Sequence, residues 1–179
     1  MFSSVDMSFV MVAALCLWTS SCDGVVYTNT AVLDRDGKYV LHWNPGTSSK
    51  DFIHFKAEVE STGWCGLGFN NFGLGQTMVL ADLILFWVDA NGKVELRDHH
   101  GIRNGFPPVD QLQDVEATSG SKNATHTVVE FRRLRDTGDL YSDYVIDENL
   151  KCVVYAYSSK VKLGYHGRSR RGYNCIQLV

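Results

Sequence analysis

This sequence has little of several features that would direct it to other classes of protein. It has only 3 prolines, no low-complexity tract and no internal repeat, so a collagen-like or disordered chain is excluded. Its 17 Lys and Arg residues stand against 20 Asp and Glu residues, and this balance argues against a nucleic-acid partner. The motifs of serine hydrolases, phosphate-binding loops and zinc proteases are also missing. We therefore expect no catalytic centre in this chain.

Long apolar runs are missing after the first 22 residues, so we expect no membrane span in the mature chain. The run from Phe9 to Trp18 is apolar, and small residues follow it at positions 19–22, which predicts a signal peptide over residues 1–22. This run is too short to cross a bilayer as a helix, although Asp6 and the missing Lys or Arg are atypical of a signal. The sequence thus predicts a secreted protein in a compartment that permits disulfides.

In an exported protein the cysteines can form disulfides and one asparagine can carry a glycan. Cys65, Cys152 and Cys175 remain after the signal peptide, together with Cys22 if cleavage falls before it. Two of the three or all four can pair, and the connectivity is open. Asn123 begins the acceptor sequence Asn-Ala-Thr inside a polar stretch, residues 119–127. We therefore predict a surface loop that carries a glycan on Asn123.

Strand patterns are what the sequence has in abundance. Apolar and polar residues alternate over 53–59, whereas residues 83–88 form a continuous apolar run that is typical of a strand covered on both faces. An Asn-Gly dipeptide at positions 91–92 follows that run and favours a hairpin. Only residues 109–116 have a composition that tolerates a short helix. The whole pattern predicts an all-β protein, an antiparallel β-sandwich.

Two isolated polar positions invite a functional interpretation. Asp82 lies in an apolar run, so its carboxylate needs hydrogen bonds, a cation or a metal. We expect loop backbone N–H groups to supply that partner, with a calcium ion as the alternative. His99 and His100 are adjacent on a strand and point to opposite faces, so we expect a solvated strand end and not a metal chelate.

A set of motifs in a fixed order resembles the DOMON domain, and most closely the N-terminal DOMON domain of dopamine β-hydroxylase and its monooxygenase-like relatives. The resemblance covers residues 25–179 and implies an immunoglobulin-like β-sandwich. The motifs are Gly63-Trp64, Gly66-x-Gly68, Met78-x-x-Ala81-Asp82, Trp87, Asp98-His99, Phe131-Arg132-Arg133 and Tyr165-His166.

The resemblance also implies a cofactor. Some DOMON domains look like extracellular b-type cytochromes, whose iron is held by a Met after the Gly-Trp strand and a His near the C-terminal end. Met78 and His166 stand at the matching positions, which implies a haem b site. Without the resemblance, Met78 is typical of core filler and His166 of a solvated loop. Arg168, Arg170 and Arg171 are candidates to pair with the haem propionates, and Trp64, Phe69, Phe72 and Tyr165 to wall the pocket or fill the core.

Three functions follow from the resemblance. The first is a secreted electron-transfer module that binds haem and meets a redox partner. The second is a recognition module for a carbohydrate or a protein, without haem. The third is an accessory domain fused to the copper domains of a dopamine β-hydroxylase-like monooxygenase. The His-His-Met-type motifs of those copper domains are missing here, so we expect no copper site within this chain.

Overall fold

The computed structural model describes residues 25–70, 77–149 and 152–179, and the predicted signal peptide lies outside them. These residues form ten β-strands and no helix, so none of them provides a helical membrane span. The strands are β1 (Asn29–Val32), β2 (Tyr39–Asn44), β3 (Phe52–Val59), β4 (Cys65–Asn70), β5 (Asp82–Val88), β6 (Val94–His100), β7 (Val115–Lys122), β8 (Thr127–Leu134), β9 (Cys152–Tyr157) and β10 (Arg171–Asn174).

The strands make two antiparallel sheets. The first sheet has the order β1-β2-β3-β8-β7, and the second has the order β10-β9-β4-β5-β6. The central strands are β3 in the first sheet and β4 in the second, and β4 is buried along its whole length. The predicted immunoglobulin-like β-sandwich is therefore confirmed.

The core lies between the sheets and follows the period-two pattern. Ile53, Phe55 and Ala57 of β3 are fully buried, and Phe55 stacks on Phe131 of β8 with ring centroids 5.3 Å apart. Phe69 of β4 faces them from the second sheet, 5.7 Å from Phe55. Burying such aromatic side chains contributes about 1.5–3 kcal/mol each, so this contact between the sheets stabilises the sandwich.

Two local predictions differ from the structure. Residues 109–116 form no helix: Val109 makes an isolated bridge with His99, and β7 begins at Val115. The polar stretch from 119 is also strand as far as Lys122, because it pairs with β8 despite its composition. Asn123 lies exposed in the tight turn that follows, where its Oδ1 accepts hydrogen bonds from the backbone N–H groups of Thr125 and His126.

The cysteines take one of the pairings that the sequence left open. Cys152 at the start of β9 is bonded to Cys175, which follows the last residue of β10. Cys65 is buried and has no disulfide partner among the residues that the structure describes, and burial raises the pKa of its thiol far above the ordinary range. The disulfide therefore closes the β9–β10 hairpin at the edge of the second sheet.

Candidate functional site

A cavity of about 670 Å³ lies on the outer face of the second sheet. This volume is within the usual range for small-molecule and cofactor sites, which is ~300–1,000 Å³. Most of its floor is apolar and comes from β4, β5 and β9. The floor residues are Gly66, Gly68, Leu83, Leu85, Val154 and Ala156.

The floor is wide because β4 alternates large inward residues with outward glycines. Gly68 pairs with Leu83 on one side and Val154 on the other. A Cβ atom at Gly68 would lie 2.5 Å from Leu83 Cδ2 and 2.7 Å from Val154 Cγ2, so the neighbouring side chains already close over this position. Gly66 is similar, with Leu85 Cδ2 at 2.8 Å from its Cβ position. Any larger residue on this face of β4 would displace the side chains that form the cavity floor.

Met78 lines this cavity on a segment that returns the chain to β5. It packs on Ala81, Leu83 and Val154, a small cluster separate from the main core. Backbone hydrogen bonds to Gly101 hold the segment in place, and within it Leu80 has a φ of 60°, in the left-handed region. A non-glycine residue in that region costs of order 1 kcal/mol and often marks a functional segment.

His166 lines the same cavity from the loop between β9 and β10. Its Nδ1 is 2.7 Å from the carbonyl oxygen of Gly167. A carbonyl only accepts, so Nδ1 carries the proton and Nε2 keeps its lone pair. Burial, reinforced by the Arg171 charge, lowers the pKa of His166 below its ordinary value. The imidazole is thus neutral at pH 7 and has one nitrogen available to a ligand.

The structure separates the three arginines that follow His166. Arg171 begins β10 and lines the cavity. Arg170 lines a different pocket of about 420 Å³, and its Nη1 donates to Ser159 Oγ at 3.3 Å. Arg168 is exposed and lines neither pocket. Of the three, Arg171 is the cation that faces the cavity of Met78 and His166.

The predicted aromatic wall is only partly assembled. Trp64 lines the cavity with its ring centroid 6.2 Å from that of His166, and its Nε1 has no hydrogen-bond partner within the described residues. Tyr165 lies at the cavity mouth and is 73% exposed. Phe69 belongs to the core between the sheets, and Phe72 lies outside the described residues. The cavity therefore offers an unused buried N–H donor beside the His166 ring.

Asp82 has the partners that its burial requires. It accepts a hydrogen bond from the Tyr144 backbone N–H at 3.1 Å, as expected for a loop N–H, and its carboxylate contacts the guanidinium of Arg133. Arg133 is fully buried and also donates to Asp143 at 3.1 Å. The sequence did not predict that Arg133 is the partner of Asp82. Period-two alternation places position 133 inward, but it does not show which buried group that side chain contacts.

One further carboxylate lies in this network. Asp98 on β6 has an oxygen within 4.8 Å of those of Asp82 and Asp143. Both of its oxygens are buried, and neither has a hydrogen-bond partner among the residues described. Burial, followed by the charges of Asp82 and Asp143, raises the pKa of Asp98 to about 8. Burial likewise raises the pKa of Asp143 to about 6.

The predicted solvated strand end is wrong for His99. His99 is 1% exposed, because its ring lies under the loop that follows β6. His100 points to the other face, where its Nδ1 is 3.4 Å from Asp110 Oδ2. The two rings thus lie on opposite faces of β6, as the alternation requires, but neither is at a free strand end.

Sequence and structure comparisons identify the class of domain to which this sandwich and its cavity belong. The family profile described as the DOMON domain matches residues 35–158. The chain belongs to the DOMON family.

The curated relatives are monooxygenase-like proteins. DBH-like monooxygenase protein 1 of Homo sapiens is 31% identical over 160 residues, which cover 87% of this chain and 25% of that protein. MOXD1 homolog 1 of Drosophila melanogaster is 32% identical over 160 residues, which cover 85% of this chain and 22% of that protein. The chain thus spans about a quarter of the length of these relatives.

Two solved structures share the fold. The cytochrome b domain of pyranose dehydrogenase from Coprinopsis cinerea superposes with a TM-score of 0.61 at 17% identity, covering 90% of this chain and 86% of that one. The cytochrome domain of Myriococcum thermophilum cellobiose dehydrogenase gives a TM-score of 0.58 at 18% identity, covering 84% and 82%.

Proposed function

We propose that this protein is a secreted DOMON module that binds haem b in the outer cavity of the second sheet and exchanges electrons with a redox partner. The observation that supports it best is that Met78 and His166, 88 positions apart in sequence, line the same cavity. The two structural neighbours are cytochrome domains, which points to the same cofactor.

The residues present are suited to haem on three counts. The glycines of β4 let Leu83, Leu85 and Val154 close over the strand as an apolar floor, and larger residues would displace them. The thioether of Met78 and the neutral imidazole of His166 are a donor pair typical of electron-transfer haem proteins. Arg171 and the unpaired Trp64 N–H provide a cation and a donor for carboxylates.

Met78 and His166 would hold the haem iron through their sulfur and ring nitrogen, and the bound group would supply reversible one-electron transfer. The residues of this chain then bind and orient the group, exclude water from its apolar face and neutralise its carboxylates. We therefore propose no catalytic centre and no copper site for this chain.

Haem titration of the purified protein tests the proposal. The wild-type protein should develop a Soret band at one equivalent, and His166→Ala should weaken the affinity by more than tenfold, because an imidazole ligand is lost. His126→Ala, in the exposed β7–β8 turn, is the matched control and should change nothing. A wild-type protein that stays colourless after reconstitution contradicts the proposal.

The two neighbouring arginines test the orientation of the cofactor. Arg171→Ala should weaken haem binding about fivefold, because Arg171 is exposed and its ion pair is screened by water. Arg170→Ala should leave the affinity unchanged, since Arg170 lines the other pocket. Equal effects of both substitutions would argue against a carboxylate contact with Arg171.

Secretion is part of the proposal and rests on the signal-like residues 1–22 and on the exposed acceptor Asn123. Expression in a eukaryotic secretory host should release protein with a glycosidase-sensitive mass increase, lost in Asn123→Gln. Retention of unglycosylated protein inside the cell would contradict it.

An accessory role beside copper monooxygenase domains is the second candidate, favoured by the names of the curated relatives. Sequencing the full transcript tests this role, because downstream copper-ligand motifs would establish it.

Glycan binding by a haem-free protein would favour the recognition module.

A further inference from the structure

The imidazole of His99 is buried, and only one of its two nitrogens has a hydrogen-bond partner among the described residues. Its Nδ1 lies 3.1 Å from the carbonyl oxygens of Pro107 and Pro108. Two carbonyl acceptors require the proton on Nδ1, so Nε2 carries a lone pair. That nitrogen is buried and has no hydrogen-bond partner in the part of the chain that the structure describes. Leaving a buried polar atom without a hydrogen bond lowers the stability of the fold, so its retention needs a reason.

The hydrogen bonds of this ring follow the pattern seen in metal-binding histidines. Such a histidine usually donates its other ring N–H to a carbonyl or carboxylate, which fixes the tautomer and aims the free nitrogen. His99 has this arrangement with two carbonyls instead of one. Burial also lowers the pKa of His99, so the ring stays neutral.

The position of His99 relates it to the Met78 side of the cavity. His99 pairs with Leu83 across β5 and β6, so their Cβ atoms are ~5 Å apart on the outer face. Leu83 belongs to the small cluster on which Met78 packs. The Met78 segment is also hydrogen-bonded to the end of β6, because Gly101 accepts from Leu80 N and donates to Ala81 O.

The side chain that separates His99 from the cavity is itself mostly exposed. His99 itself does not line the cavity, but its neighbours Leu83, Phe106 and Pro107 do. The Phe106 ring meets the His99 ring edge-on at 6.2 Å, and Phe106 is 60% exposed. A side chain that is mostly in solvent loses little buried area when it moves aside, so a rotation of Phe106 would join His99 to the cavity while the carbonyls of Pro107 and Pro108 stay on Nδ1.

We propose that His99 is a second nitrogen donor for the ligand of this cavity, on the side of Met78 and as an alternative to its sulfur. This inference rests on the proposed haem function and adds a residue to it. Because Nε2 already lacks a proton, its binding to iron releases none.

The test is the absorption and EPR spectrum of the haem-loaded protein and three variants. Wild-type protein should show the sulfur-to-iron band of a thioether ligand. Met78→Ala should lose that band but stay six-coordinate and low-spin, with a lower midpoint potential, because an imidazole replaces a thioether. Met78→Ala/His99→Asn should become high-spin.

Asn at position 99 keeps an N–H for the proline carbonyls and removes only the free nitrogen, so the fold should be retained. The neighbouring double variant Met78→Ala/His100→Asn is the matched control and should stay low-spin, because His100 lies on the other face of β6. Circular dichroism checks that each variant is folded.

The outcomes separate the two proposals. A wild-type protein that takes up no haem removes the proposed function and this inference together. A wild-type protein that binds haem, with Met78→Ala already high-spin and unchanged by the second substitution, overturns the role of His99 alone. In the haem-free protein, nitrogen NMR showing a proton on Nε2 of His99 would also overturn it.

Discussion

Asp98 illustrates how much a single side chain can depend on its surroundings. Its carboxyl group is fully buried near Asp82 and Asp143, and the nearest cation, Arg133, is already bound to those two neighbours. A carboxylate in that position is disfavoured by burial and by like charge. Asp98 is therefore protonated in the folded protein over most of the neutral range.

This protonation predicts a pH-dependent stability. The pKa of Asp98 is 3.8 in an ordinary setting and about 8 in the folded state, so the folded state binds more protons between those values. The free energy of unfolding should then decrease as the pH rises from about 4 to about 8. Urea denaturation of the wild type at pH 5 and pH 8 measures the decrease.

Asp98→Asn should weaken that dependence and stabilise the protein at pH 8, because the amide has no proton to lose. Asp36→Asn in an exposed turn is the control, and its pH profile should match the wild type. A variant profile as steep as that of the wild type would show that other groups cause the dependence.

At the scale of elements, the β9–β10 hairpin is what presents His166 and Arg171 to the cavity. β10 has four residues and lies at the edge of its sheet, where it pairs only with β9. The disulfide links Cys152 and Cys175, which are 23 positions apart, and both His166 and Arg171 lie between them in sequence. A short edge strand of this kind depends on such a link more than a central strand does.

Removing the disulfide should therefore loosen this hairpin before the rest of the sandwich. We expect Cys152→Ser/Cys175→Ser to lower the free energy of unfolding by about 3 kcal/mol, from the loop that the bond closes. The measurement is the denaturation midpoint, with hydrogen exchange of residues 153–174 to locate the change.

Reductant serves as the internal control for this pair. It should lower the midpoint of the wild type towards that of the double variant and leave the variant itself unchanged. Equal midpoints of the oxidised wild type and the variant would mean that the hairpin is held by its other contacts.

At the scale of the whole molecule, one ion-pair network crosses the core. Arg133 belongs to β8 in the first sheet, whereas Asp82 belongs to β5 in the second. The guanidinium is fully buried, so it joins the two sheets at a point where neither group reaches water. Such a pair adds little net stability when complete but is costly to break.

Arg133→Met should destabilise the protein by about 3–5 kcal/mol at pH 7, because it leaves buried carboxylates without their cation. Arg132→Met is the matched control on the same strand: its exposed pair with Glu116 should contribute less than about 1 kcal/mol. Thermal unfolding of both variants gives the comparison.

A second substitution makes the prediction for Arg133 sharper. Asp82→Asn added to Arg133→Met should recover part of the lost stability by removing one unpaired charge. If the double variant is less stable than Arg133→Met, the loss comes from the packing of the long side chain and not from its charge.

The sequence by itself determined the architecture, because the local pattern of apolar and polar residues identifies most of the strands. Residues 53–59 and 83–88 read as strands from their own apolar patterns, and both are strands in the structure. Three strands were not predicted from the sequence: β1 and β10 are short, and β7 is polar, so its pairing with β8 decides its conformation. Met78 and His166 were singled out only by the family resemblance, since no local pattern relates residues that far apart.

Only the tertiary structure decided which side chains share a space. Alternation says that neighbours point to opposite faces, but not which face is core and which is covered by a loop. That is why Arg171 and not Arg170 faces the cavity, and why His99 is buried beneath residues 102–107. The register between distant strands set these positions, and register depends on partners that no local stretch of sequence contains.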